Sequence, residues 1–243
     1  MVGYIDCHCH LTHKSFIGKV DEVVSRAVST GVSVIIDAGT SPADNRLIHR
    51  SDVVKAALGL YPDEATALSG AEFKQELEWI RGKEPFAVGE IGLDGTLPEF
   101  DLQKERFVEQ LRLASSLGKP VIIHSRKAEK EVLEILEQEK TQRVLLHCFS
   151  GSKKLVNEAI ENGYFFSIPT NVVFSTHFQE LAKTVPSDRI LAETDSPFLS
   201  PVKGERNEPA NVVRTYEKIA ELKGLDLEEL KNIVYENYQR LFL

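Results

Sequence analysis

Eight short apolar segments recur along the chain, and no other property of the sequence limits its fold as much. They fall at 3–8, 32–38, 54–60, 86–91, 120–124, 143–148, 164–168 and 190–194. Between them lie longer segments such as FDLQKERFVEQLRLASSLG and AEKEVLEILEQEK, whose apolar residues return every three or four positions. A run of four to eight apolar residues reads as a strand buried on both faces, and a period near 3.6 as a helix with one buried face. Gly118, Pro120, Gly163 and Pro186 stand where helices must stop and the chain turn back towards a strand. Strands that alternate with helices pair in parallel. Eight such units in 243 residues, 42% of them hydrophobic, suffice for one closed (β/α)8 barrel of the TIM type, so residues 1–243 are expected to form a single domain. A doubly wound open sheet is the alternative, but neither a GxGxxG nor a GxxxxGK[ST] loop follows the first strand.

In a barrel of this kind functional side chains gather at the C-terminal ends of the strands. Strand 1 closes on His8 and His10 in DCHCH, strand 4 on Glu90 in VGEIGLD, strand 5 on His124 in VIIHS, strand 6 on His147 in VLLHCF and strand 8 on Asp195 in LAETDSP. Alternation along a strand puts His8 and His10 on one face with Asp6 and turns Cys7 and Cys9 towards the helices. A lone histidine in an apolar strand is usually a satisfied core or surface residue. Four of the seven histidines at equivalent strand ends are poorly explained by chance, and together with Glu90 and Asp195 they read as a metal site. Cys7, Cys9 and Cys148 are taken as small packing residues. His49 falls in a helical stretch, and His13 and His177 in loops able to border the site; none of the three is assigned to it. Glu193, on the same face of strand 8 as Asp195, reads either as a support for a histidine ligand or as a buried paired acid.

Charge and cysteine content narrow the setting. The net charge is 29 − 37 = −8, which speaks against broad capture of duplex nucleic acid and leaves room only for a local basic patch. Three cysteines, two of them in Cys7-His8-Cys9, are too few and too close for a disulfide framework. With no leader-like N-terminus and no apolar run of ~18 residues, the chain reads as a cytoplasmic protein that neither crosses a membrane nor needs an obligate protein partner.

The runs DCHCH, GEIGLD, PVIIHSR, LLHCFSGS, ETDSP and RNEPANV, in that order over nearly the whole chain, resemble the TatD family of metal-dependent deoxyribonucleases among the amidohydrolase-like barrels. The resemblance implies that His8, His10 and Asp195 hold one divalent ion, that His124 and His147 hold a second, and that Glu90 bridges them. It also implies hydrolysis of phosphodiester bonds in DNA, commonly from the 3′ end of a single strand. Two ions ~3.5–4 Å apart stabilise both the attacking and the leaving oxygen, and they outweigh the charges of Glu90 and Asp195 by about two, which an anionic phosphate offsets. Asp195 and Glu90 are the catalytic candidates. Asp195 is positioned to take the proton of the attacking water, with a purely ligating role as the alternative. Nitrogen and oxygen donors together suit Zn²⁺, Mn²⁺, Co²⁺ or Ni²⁺, whereas Mg²⁺ accepts the oxygens more readily than the imidazoles.

Substrate contacts are expected from Tyr61, Arg126 and Arg206, the last being equally suited to a structural salt bridge. The loops Ser125–Lys127, Ser150–Lys154 and Lys203–Asn207 follow strands 5, 6 and 8 and offer further donors, with Ser152 a possible helix cap and Lys153 and Lys154 more simply solvated charges. Two segments leave the family pattern: Tyr61-Pro62-Asp63 stands for the usual His-Pro-His, and Gly95-Thr96-Leu97-Pro98 for a usually aromatic stretch. An alternative function is hydrolysis of a small ester, lactone or amide on the same barrel. Many such enzymes bridge their metals with a carboxylated lysine on strand 4, where this chain has Glu90; Lys83 and Lys119 precede strands 4 and 5 and sit at the other mouth. A barrel that binds metal without catalysis is the third possibility.

Overall fold

The computed structural model describes residues 2–243. Its eight strands are β1 (Tyr4–Cys9), β2 (Val32–Ala38), β3 (Val54–Leu58), β4 (Ala87–Gly92), β5 (Val121–His124), β6 (Val144–His147), β7 (Phe165–Ile168) and β8 (Ile190–Ala192). Each pairs in parallel with the next, in chain order, and the sheet curls into a nearly closed TIM-type (β/α)8 barrel. Runs such as VIIH in β5 and FFSI in β7 are buried along almost their whole length, because the barrel interior covers one face and the helices the other.

The helices are α1 (Val20–Ser29), α2 (Pro42–Leu47), α3 (Pro62–Ala67), α4 (Gly70–Gly82), α5 (Phe100–Leu117), α6 (Glu129–Gln138), α7 (Lys153–Glu161), α8 (Thr176–Thr184), α9 (Val212–Lys223) and α10 (Leu227–Phe242). None is long and apolar enough to cross a membrane. Their ends follow local chemistry. Ser69 and Glu72 close a capping box on α4, and Gly118 ends α5 in the left-handed region at φ +62°. The short helices α2 and α3 each carry proline in the first turn, where its missing N–H costs nothing.

Observed strand bounds agree with the apolar runs to within one or two residues. The largest differences are at β3, which ends at Leu58 rather than at 60, and at β8, which ends at Ala192 rather than at 194. Both departures have the same cause: side chains take over the pairing of the backbone. Leu60 exchanges its amide and carbonyl with the Gln110 carboxamide at 2.8 and 3.1 Å. Asp6 in β1 receives the Thr194 amide at 2.8 Å and the Thr194 hydroxyl at 2.6 Å. Two further hydrogen bonds, Asp195 N–H to the His8 carbonyl at 3.0 Å and His10 N–H to the Ser196 carbonyl at 2.8 Å, draw the last strand against the first.

Candidate metal centre

The ends of β1, β4, β5, β6 and β8 bring their polar side chains to one place. The β1–β2 register slips between Asp6 and Cys9, so alternation along β1 is not strict there. His8 and His10 nonetheless converge, with their Nε2 atoms 3.2 Å apart. Asp6 does not join them; its carboxylate is spent on Thr194. Asp195 follows β8 in the left-handed region at φ +53°, a conformation that aspartate tolerates better than most residues and that often marks functional loops.

The resulting distances define two donor groups that share one carboxylate. Glu90 Oε2 lies 3.5 Å from His8 Nε2 and 3.3 Å from His10 Nε2, and Asp195 Oδ1 lies 3.5 and 3.3 Å from the same two atoms. Glu90 Oε1 lies 2.9 Å from His124 Nδ1 and 3.0 Å from His147 Nε2. Four donors set tetrahedrally at about 2.0–2.1 Å from a divalent ion stand ~3.3–3.4 Å from one another, so the first group matches the spacing a metal demands. Two of the four outer nitrogens, those of His10 and His124, have hydrogen-bond partners. His10 Nδ1 donates its proton to the Ala38 carbonyl at 2.9 Å, which turns Nε2 towards the cluster. His8 Nδ1 and His147 Nδ1 are buried without a hydrogen-bond partner, Glu193 Oε1 standing 3.7 Å from the latter.

Electrostatics point the same way. Burial pushes the Glu90 carboxyl up, but His147, His124 and His8 outweigh it and hold it well below the usual range. Asp195 is likewise raised by burial and then brought well below its ordinary value by His10, His8 and His147. Burial lowers His10, and Asp195 and Glu90 overcome it, raising the imidazole to about 9; His147 is raised well above its ordinary value against the same burial by Glu90 and Glu193. Two buried carboxylates therefore draw positive charge into the cluster, as protons on imidazoles or as divalent ions.

A cavity of about 640 Å³ opens over these groups. Tyr61, Asp63, Arg126, His13 and Phe198 line it, and Phe198 is half exposed with its ring edge-on to His13 at 5.3 Å. Of the expected substrate contacts, Tyr61 and Arg126 are at the cavity, whereas Arg206 does not line it: its guanidinium donates to the Ser15 carbonyl at 2.7 Å and lies over the Phe16 ring. The Ser150–Lys154 loop does not line the cavity either. Ser152 occupies the first position before α7 without a side-chain capping bond. Lys14, Asp44 and Glu64 complete a mouth of mixed sign. Cys7 and Cys9 are fully buried in the apolar core, and the Cys148 thiol donates to Glu193 Oε1 at 2.8 Å.

One residue that sequence reasoning passed over belongs here. Asp94, the last letter of GEIGLD, is 2% exposed. It accepts from the Tyr61 hydroxyl at 3.0 Å, lies 3.5 Å from His124 Nε2, and is itself fixed by Thr96 and Gln103. Burial raises its carboxyl, but the nearby His124 imidazole and hydrogen bonds from Thr96 and Tyr61 hold it well below the usual range. The signal for it was a carboxylate two residues beyond a strand whose end already carried Glu90.

The family model of TatD related DNase matches residues 5–243. The chain belongs to this family. As a TatD-family protein it is a metal-dependent hydrolase, and its relatives agree. It is 33% identical over 245 residues to a metal-dependent hydrolase of Methanocaldococcus jannaschii, covering 99% of this chain and 97% of that one. It is 32% identical over 260 residues to the deoxyribonuclease TATDN3 of Homo sapiens, covering 99% of this chain and 95% of the human protein. Among solved structures, the TatD homologue YjjV of Escherichia coli K12 superposes with a TM-score of 0.90 at 28% identity, covering 98% of this chain and 97% of its own.

Proposed function

We propose that this TatD-family hydrolase is a two-ion phosphodiesterase that releases nucleotides from DNA ends, single strands preferred and the 3′ end first. One observation carries the proposal: the two oxygens of the buried Glu90 carboxylate face different donor groups, His8 and His10 on one side and His124 and His147 on the other. Asp195 completes the first group. Bound there, two divalent ions would polarise a phosphoryl oxygen and bring the pKa of a water towards neutrality. The imidazole and carboxylate donors suit Zn²⁺, Mn²⁺, Co²⁺ or Ni²⁺ better than Mg²⁺.

The chain's own residues supply the rest. Asp195 keeps Oδ1 among the donors, and its second oxygen takes the proton of the attacking water. Arg126 and Lys14 at the cavity wall bind the non-bridging oxygens of the substrate. Residues 1–243 act as one hydrolase barrel, and three free thiols suit a reducing cytoplasm. Asp44, Asp63 and Glu64 at the same mouth favour a second reading, a small ester, lactone or amide with less negative charge than a nucleic acid.

The test strips the protein with a chelator, reloads it with each divalent ion in turn, and follows nucleotide release from 3′-labelled single strands beside a panel of small esters, lactones and amides. Two ions per chain and release of mononucleotides are expected. Turnover of a small ester or amide with DNA left intact would assign the second reading instead.

A further inference from the structure

The Tyr61 hydroxyl sits between two groups with fixed demands. It lies 3.0 Å from Asp94 Oδ2 and 3.0 Å from His124 Nε2. An ionised carboxylate only accepts, so the single hydroxyl proton goes to Asp94, and the oxygen is left to accept a proton from His124. That requires the proton of the imidazole to be on Nε2. In the neutral ring Nδ1 is then bare, 2.9 Å from Glu90 Oε1 and 3.4 Å from His147 Nε2. Asp94 alone does not enforce this, because 3.5 Å to His124 Nε2 is too long for a firm hydrogen bond.

All three members are immobilised from different strand ends. Tyr61 N–H donates to the Thr40 carbonyl at 2.8 Å, its carbonyl accepts from Ala65 N–H at 2.9 Å, and buried Pro62 fixes the backbone that follows. Asp94 is gripped by Gln103 through its backbone and by Thr96 through its side chain. The Tyr61 ring packs on the His124 ring with centroids 4.6 Å apart.

We infer that Tyr61 is a positioning residue: by accepting from His124 Nε2–H and donating to Asp94, it presents His124 Nδ1 to the second ion. The inference rests on the two-ion proposal above and replaces the expected substrate contact by Tyr61 with a role that acts through His124.

Calorimetric titration of the chelator-stripped protein with Mn²⁺ and with Zn²⁺ tests it without any substrate. Wild type should bind two ions. Tyr61→Phe should bind the first with unchanged affinity and the second about 10- to 100-fold more weakly, the usual effect of losing the partner of a ligand histidine. Tyr61→His, whose ring again offers a donor and an acceptor, should restore the second affinity to within about threefold. At saturating metal, Tyr61→Phe should keep the wild-type KM for an oligonucleotide. Two wild-type affinities in Tyr61→Phe together with a raised KM would overturn the inference in favour of substrate contact. Should Tyr61→Phe not fold, nitrogen NMR of the stripped wild type at a pH where the imidazole is neutral decides: a proton on His124 Nε2 supports the inference, and one on Nδ1 overturns it. Fewer than two ions on the wild type would instead sink the two-ion proposal.

Discussion

Glu90 serves both donor groups with one carboxylate, and this makes single substitutions unequal. Glu90→Ala is expected to lose both ions on dialysis, whereas His124→Ala weakens mainly one, as elemental analysis of the dialysed proteins will read. Retention of two tightly held ions by Glu90→Ala would remove the bridging role. Protons and ions compete for the same atoms. In the metal-free protein His10 is raised to about 9, above its unfolded value near 6.5. Its contribution to stability is therefore complete below about pH 6.5 and is lost as pH rises through about 9. A metal-loaded protein has no such loss, so the gap between loaded and stripped Tm should widen from pH 6.5 to 9; a constant gap would exclude His10 as a ligand. The six clustered residues were legible in the sequence because each ends an apolar run. Tyr61 and Asp94 were not legible as partners, because their contact spans 33 residues and depends on how two loops leave neighbouring strands.

At the level of elements, β4 and β5 carry Glu90 and His124, and they approach each other more closely than a side chain permits. A Cβ on Gly92, whose φ is +148°, would stand 1.9 Å from the His124 carbonyl oxygen. Gly92→Ala must push the strands apart where both residues emerge, at a cost on the order of 3 kcal/mol. A lower Tm with weaker binding of the second ion is the expected result, and unchanged values in both would show that the strands yield freely. The strands themselves were readable, since apolar runs of five to seven residues have few other uses in an alternating chain. The short helices α2 and α3 and the end of β8 were not. They depend on caps and on the Asp6–Thr194 contact, whose partners are 188 residues apart.

Over the whole molecule the net charge of −8 leaves little long-range attraction for a polyanion. Binding of single-stranded DNA to the non-cleaving Asp195→Asn variant should then depend weakly on salt, with a slope of about −1.5 to −2, since each neutralised phosphate adds roughly 0.7. A slope of about −5 or steeper would mean an extended basic track and would contradict a substrate gripped at its end. The barrel was legible at this scale from periodicity alone; the mixed-sign mouth was not, because it is assembled from the loops of at least four strands. The seam between first and last strands carries one more consequence. His8 and His10 leave the ribosome long before Asp195, and Asp6 has nothing to latch onto before Thr194 arrives. A nascent chain cut short ahead of β8 lacks both Thr194 and Asp195 and so holds an incomplete set of donors, which makes completion of the metal centre depend on the last strand of the barrel.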